Sequence, residues 1–164
     1  MRLDLHHKIG KTIYSELKEL GCNINEGLFL LGNIFPDLCH SYLWCRHEHQ
    51  HSRNYVHRKI EILKKRPKLF AFHLGILAHY ICDYFCYPHS SGYNEGLIRH
   101  IIYEVQQKAP EKIFKTNLNI KAFTIEELDR FVEWYEDFRK FFESKEFDSH
   151  FAVMVTCNFL HAAY

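Results

Sequence analysis

Apolar residues recur along most of the chain at intervals of three and four rather than in alternation, the pattern of helices that each bury one stripe. Ile9, Ile13, Leu17 and Leu20 share one face of a first helix predicted from Leu3 to Leu20, with Gly21 placed to end it. A short second helix is predicted over Glu26 to Leu31 and closed by Gly32; Pro36 stops helical continuation, so Asp37 falls on or just beside a loop. Residues 38–50 show no clear period, and a third helix is predicted over about 52–65, before Pro67. The stretch from Lys68 to Tyr87 is apolar almost all round, which places that helix at the centre of a bundle. Pro88 ends it, and a fifth helix is predicted from Asn94 to Lys108. Thr124-Ile125-Glu126-Glu127 reads as a capping box that opens a sixth helix running to about Ser144, and Asp148 is placed to cap a last one. Neither a repeat nor a linker interrupts this order. The expectation is an all-α fold, a compact bundle of six to seven helices forming one domain over residues 1–164.

Composition narrows the classes of function. A length of 164 residues with 47% hydrophobic and 25% charged residues is an ordinary globular balance. The net charge of +1 supplies no global field toward nucleic acid or an anionic surface, so any such binding must come from a local site. No apolar run approaches the roughly 20 residues of a membrane span, and no initial apolar stretch resembles a secretory signal. A cytoplasmic protein with reduced thiols is therefore expected. The six cysteines form no CxxC pair, and Cys82 and Cys86, four apart on a helix, read as buried small hydrophobes. The count of 13 histidines is the outlier, and histidine at that density points to metal.

Within the central helix His79 and Asp83 stand four apart and project from one face, in reach of a common ion. An ionised aspartate in so apolar a helix is costly unless a cation or donors compensate it. The next helix repeats the spacing with His100 and Glu104, and His89 lies in the loop between the two. Asp37, His51 and His6 add ligand types from three other segments, which is what a multinuclear site built inside a bundle requires.

The run Leu77-Ala78-His79-Tyr80-Ile81-Cys82-Asp83, followed by Pro88-His89 and by His100-Ile101-Ile102-Tyr103-Glu104, resembles the zinc-dependent phospholipase C family in its HxxxD, H and HxxxE core pattern. That family shares its fold and trinuclear site with single-strand-specific zinc nucleases. Gly32-Asn33-Ile34-Phe35-Pro36-Asp37 is similar to the family's glycine-to-PD loop, and the resemblance covers roughly residues 3–105. It implies two or three zinc ions. Asp37, His51, His79 and Asp83 would hold one, Asp83 would bridge to a second that His6 also binds, and His89, His100 and Glu104 would hold the remaining one. Family members complete the second zinc with the amino group and carbonyl of a processed N-terminal residue, usually Trp; this chain departs from that pattern, and Met1, five residues before His6, could offer the same two atoms. His7 competes with His6, and His49 with His51, while His47 and His57 are expected to be solvated and His40 is undecided.

Zinc-bound water has its pKa lowered to near 7, and ions about 3.5 to 4 Å apart can hold both attacking and phosphoryl oxygens. Asp37 is the candidate to orient that water or take its proton. The resemblance implies a phosphodiester hydrolase of phospholipase C type acting on glycerophospholipids. Two alternatives stand beside it. One is a single-strand nuclease or 3′-nucleotidase on the same metal site, with Tyr42, Trp44, Tyr84 and Tyr93 stacking bases. The other is a metal-binding helical domain without turnover. The basic run Lys64-Lys65-Arg66-Pro67-Lys68 and the acids Glu126, Glu127, Asp129, Glu133, Glu136 and Asp137 read as solvated surface.

Overall fold

A computed structural model describes residues 2–39, 47–110, 118–142 and 144–164. Among these, seven α-helices follow one another: α1 (Leu3–Glu19), α2 (Glu26–Leu38), α3 (His49–Lys64), α4 (Phe70–Tyr84), α5 (Gly96–Gln106), α6 (Ile125–Arg139) and α7 (Lys145–Ala163). A single 3-10 turn, Tyr87–His89, lies between α4 and α5, and no strand occurs among the described residues.

Helix α4 is the axis of the bundle. Every residue from Leu74 to Tyr84 is buried, as a helix apolar on all sides must be. Helices α1, α2, α3 and α7 pack around it. Their stripes, such as Ile9, Ile13 and Leu17 of α1 and Val56, Ile60 and Leu63 of α3, complete one core. The tightest approach is between α2 and α4, where two glycines let the backbones touch. A Cβ on Gly32 would lie 2.1 Å from the Phe72 carbonyl oxygen, and one on Gly75 would lie 2.1 Å from that of Phe29.

Several elements depart from the expectation for physical reasons. Gly32 does not close α2; it is wedged against α4, and the helix runs on to Leu38 with Pro36 inside it. The proline removes one ladder donor, but Phe29, Gly32, Asn33 and Pro36 are all buried, and that packing outweighs the lost bond. Asp37 therefore stands in the last helical turn rather than on a loop. Helix α4 stops at Tyr84, three residues early, because Tyr87-Pro88-His89 forms its own turn. Helix α6 opens as the capping box predicts, Thr124 accepting from the Glu127 amide, but ends at Arg139. Ser144, not Asp148, caps α7 by accepting from the Phe147 amide.

Asp148 is instead fully buried, facing Arg139 at 2.9 Å and accepting from the Tyr103 hydroxyl. Burial pushes its carboxyl up to about 6 even beside that guanidinium. The group ties α5 to α6 and α7. Arg139→Met should strand the carboxylate and cost about 3 to 5 kcal/mol in a urea melt, whereas adding Asp148→Asn should recover most of the loss. The acidic face of α6 is likewise only partly solvated: Glu127 is buried, and Asp129 pairs with His49 at 2.7 Å and with the Arg53 guanidinium at 2.6 Å. The basic run at the end of α3 is solvated as expected.

Candidate metal centre

Helix α4 brings His79 and Asp83 to one face, and four further segments converge on them. His6 comes from the buried stripe of α1, where Gly10 permits close approach: a Cβ there would be 2.9 Å from the Asn33 amide. His6 Nε2 lies 3.2 Å from Asp83 Oδ1, and its ring stacks on that of His79 at 3.8 Å. On the other oxygen, Asp83 Oδ2 lies 2.7 Å from His47 Nδ1 and 3.4 Å from His79 Nε2. Asp37, at the end of α2, reaches to 3.7 Å from His79 Nε2.

The backbone of Asn33 fixes the tautomer of His79. Its Nδ1 donates to the Asn33 backbone carbonyl at 2.9 Å, leaving the lone pair of Nε2 to face the carboxylates. The Asn33 side chain, fully buried, is satisfied when its amide donates to the His6 carbonyl at 2.6 Å and accepts from the His79 amide at 3.3 Å. One residue of α2 thus positions ligand candidates on both α1 and α4.

The third cluster spans the turn and α5. Glu104 Oε1 lies 3.3 Å from His89 Nε2 and 2.9 Å from His100 Nε2. Four sets can each bring ligand atoms within 4.8 Å of one another: His6, His79 and Asp83; Asp37, His47 and His79; His47, Asp83 and His89; and His89, His100 and Glu104. His47 and His89 link the clusters, their rings stacked at 6.1 Å.

The charge states suit a cation. Burial, reinforced by His6, holds His79 well below the ordinary imidazole value, and burial also lowers His89, so both offer neutral nitrogens. Burial opposes ionisation of Asp83, yet electrostatic attraction from its surroundings, the His6, His89 and His79 imidazoles among them, keeps it well below the usual carboxylate range. Glu104 is lowered in the same way: burial raises it, but hydrogen bonds from His100 and His89 outweigh that. Asp37 is the exception. Burial raises it, Asp83 adds to the rise, and its Oδ2 is buried without a hydrogen-bond partner. Both ring nitrogens of His6 also lack a hydrogen bond. Unsatisfied buried donors and acceptors beside ionised carboxylates fit a site made for divalent metal.

The model of the zinc dependent phospholipase C family matches residues 5–145. The chain belongs to the zinc-dependent phospholipase C family. Neither a curated protein nor a solved structure matches it. The family match runs past residue 105 to include α6, farther than the sequence pattern alone reached, and the all-helical architecture agrees with it. Zinc is accordingly the metal that these His, Asp and Glu clusters are suited to hold.

Of the ligand candidates read from sequence, the structure brings together His6, Asp37, His79, Asp83, His89, His100 and Glu104. It does not bring His51. That side chain is half exposed on the outer face of α3, with Nδ1 2.6 Å from the Glu48 carboxylate. His47 takes the place expected for it: lying just before α3, it is free of the helical register that turns His51 outward. His49 faces Asp129, and His7 is not among the clusters. Met1, His40, Tyr42 and Trp44 lie outside the described residues. Tyr84 cannot stack a base, being buried with its hydroxyl 2.8 Å from Ser52 Oγ. Among the described residues no cysteine joins these clusters; Cys82 and Cys86 are buried, and burial pushes the Cys82 thiol up to about 12. Among the described residues no helix is long and apolar enough to cross a membrane.

Proposed function

We propose that the chain is a single hydrolase domain over residues 1–164, cleaving glycerophospholipids as a phospholipase C through two or three zinc ions. The observation that carries this reading is the split of Asp83: one carboxylate oxygen faces His6, the other His47 and His79. A carboxylate shared in this way is the bridge a polynuclear centre needs. Asp37, His47, His79 and Asp83 would hold one ion, His6 with Asp83 a second, and His89, His100 and Glu104 a third.

When bound, zinc supplies Lewis acidity toward phosphoryl oxygens and makes water a nucleophile near neutral pH. The protein's own part is positioning and proton handling. Asn33 locks His79 in its ligating tautomer, and Glu104 orients His89 and His100 from a single oxygen. Asp37, with an unpartnered oxygen and a raised carboxyl, is placed to take a proton from the attacking water.

The test uses chelator-stripped and zinc-reloaded protein on a soluble short-chain phosphatidylcholine, with single-stranded DNA as the competing substrate. Reloading should restore release of phosphocholine. Zinc at a thousandfold excess over its dissociation constant should add about 4 kcal/mol of stability. His47→Ala should lower both zinc content and rate, and His51→Ala should change neither. Tight zinc without hydrolysis of either substrate would instead support a non-catalytic domain.

A further inference from the structure

Helix α5 offers the candidate site one face and solvent another. Only Tyr103 is buried on it. Leu97 and Ile98 are 73% and 75% exposed, and Ile101, Ile102 and Val105 are about half exposed. At about 100° per residue these five side chains share one arc of the helix, and that arc directly adjoins the one holding His100 and Glu104. Scattered exposed apolar residues are normal, but a contiguous set on one helix marks a contact surface.

Val105 and Glu104 also line a groove of about 570 Å³ between α1 and the end of α5. Its cations Arg2, Lys8, Lys11 and Lys108 outnumber its acids, Asp4 and Glu104. Arg99, on the far flank of the stripe, is exposed and reaches Glu95 at 3.4 Å. An apolar stripe flanked by positive charge, on the helix that also carries two ligand candidates, matches the profile of an anionic phospholipid bilayer: acyl chains beside the stripe, phosphates beside the cations. A protein partner would satisfy the apolar face but would leave the cationic groove and the adjacent metal cluster without a common reason.

We propose that α5 is an interfacial anchor which lays Leu97, Ile98, Ile101, Ile102 and Val105 into the surface of an anionic phospholipid membrane, with the Arg2, Lys8, Lys11 and Lys108 groove against its headgroups. The orientation toward the metal cluster rests on the phosphodiesterase reading above; the binding itself does not.

The experiment sediments zinc-loaded protein with sucrose-filled vesicles of phosphatidylcholine containing phosphatidylglycerol, and with vesicles of phosphatidylcholine alone. Wild-type protein should partition to the anionic vesicles. Ile98→Glu with Ile101→Glu, both at exposed positions, should reduce that partitioning by roughly ten-fold or more, with an unchanged circular dichroism melt. Lys8→Gln with Lys11→Gln should erase the preference for anionic over neutral vesicles. Hydrolysis of the short-chain, monomeric lipid should survive the isoleucine changes. Equal vesicle binding by the double glutamate variant would overturn the anchor. So would a wild-type dimer in light scattering that the same variant renders monomeric, since a second copy would then cover the stripe. Loss of vesicle binding in the variant, in a protein that hydrolyses nothing, would uphold the anchor while refuting the phosphodiesterase reading.

Discussion

Asp83→Asn is expected to release zinc and abolish hydrolysis while leaving a folded helical chain. The change removes one negative charge and replaces an acceptor with an amide donor at the point where His6, His47 and His79 meet. Two ligand clusters lose their common carboxylate at once, so the loss should exceed the roughly 10- to 100-fold that removing a hydrogen-bond partner of a ligand costs. The check is zinc per chain by mass spectrometry alongside the rate on short-chain phosphatidylcholine. Asp83→Glu, which keeps the charge but moves it outward by one methylene, should retain part of the metal and little of the rate. Full zinc content in Asp83→Asn would remove the bridge from the reading and the polynuclear centre with it.

Gly75→Ala should be among the most destabilising single substitutions in the protein, although it adds one methyl group. The new Cβ would lie 2.1 Å from the Phe29 carbonyl oxygen and 2.8 Å from the Asn33 amide nitrogen, both rigid backbone atoms of α2. Neither can rotate away, so α2 and α4 must part. The expected cost is about 3 kcal/mol or more, or roughly 6 to 12 °C in melting temperature for a chain of this length. Because Gly75 lies one turn before His79, the separation also lengthens the bond from His79 Nδ1 to the Asn33 carbonyl, and zinc affinity should fall by about 10- to 100-fold. Gly92→Ala, where nothing lies within 4 Å of the added Cβ, is the control that should change neither quantity. A Gly75→Ala protein that melts with the wild type would show that the close approach of α2 and α4 does not hold the site together.

The asparagine at position 33 shows where sequence reading stops short. It stands inside a segment already singled out, yet nothing in its neighbours reveals that its carbonyl and its side chain both serve ligand candidates on other helices. The only available hint was a polar residue on an apolar stretch beside a glycine. Asp148 gave the opposite error: its place near a helix start suggested a cap, and only the meeting of α5, α6 and α7 shows it as a buried partner of Arg139. His47 and His51 differ for a third reason. Within α3 the helical register decides direction, and it turns His51 toward Glu48 and solvent. His47 precedes the helix, where side-chain direction depends on backbone angles that no periodic pattern encodes.

What the amino-acid sequence determined by itself is whatever one helix fixes internally: the apolar circumference of α4, and the pairing of His79 with Asp83 and of His100 with Glu104. In each case about 100° per residue converts spacing directly into a shared face. Only the tertiary structure decided which loop histidine joins them, that Asp37 ends a helix running through Pro36, and that both oxygens of Asp83 are used. Those outcomes depend on distances between segments far apart in the chain, set by how closely Gly10 lets α1 approach the Asn33 side chain and Gly32 and Gly75 let the backbones of α2 and α4 approach, and local periodicity carries no record of such distances.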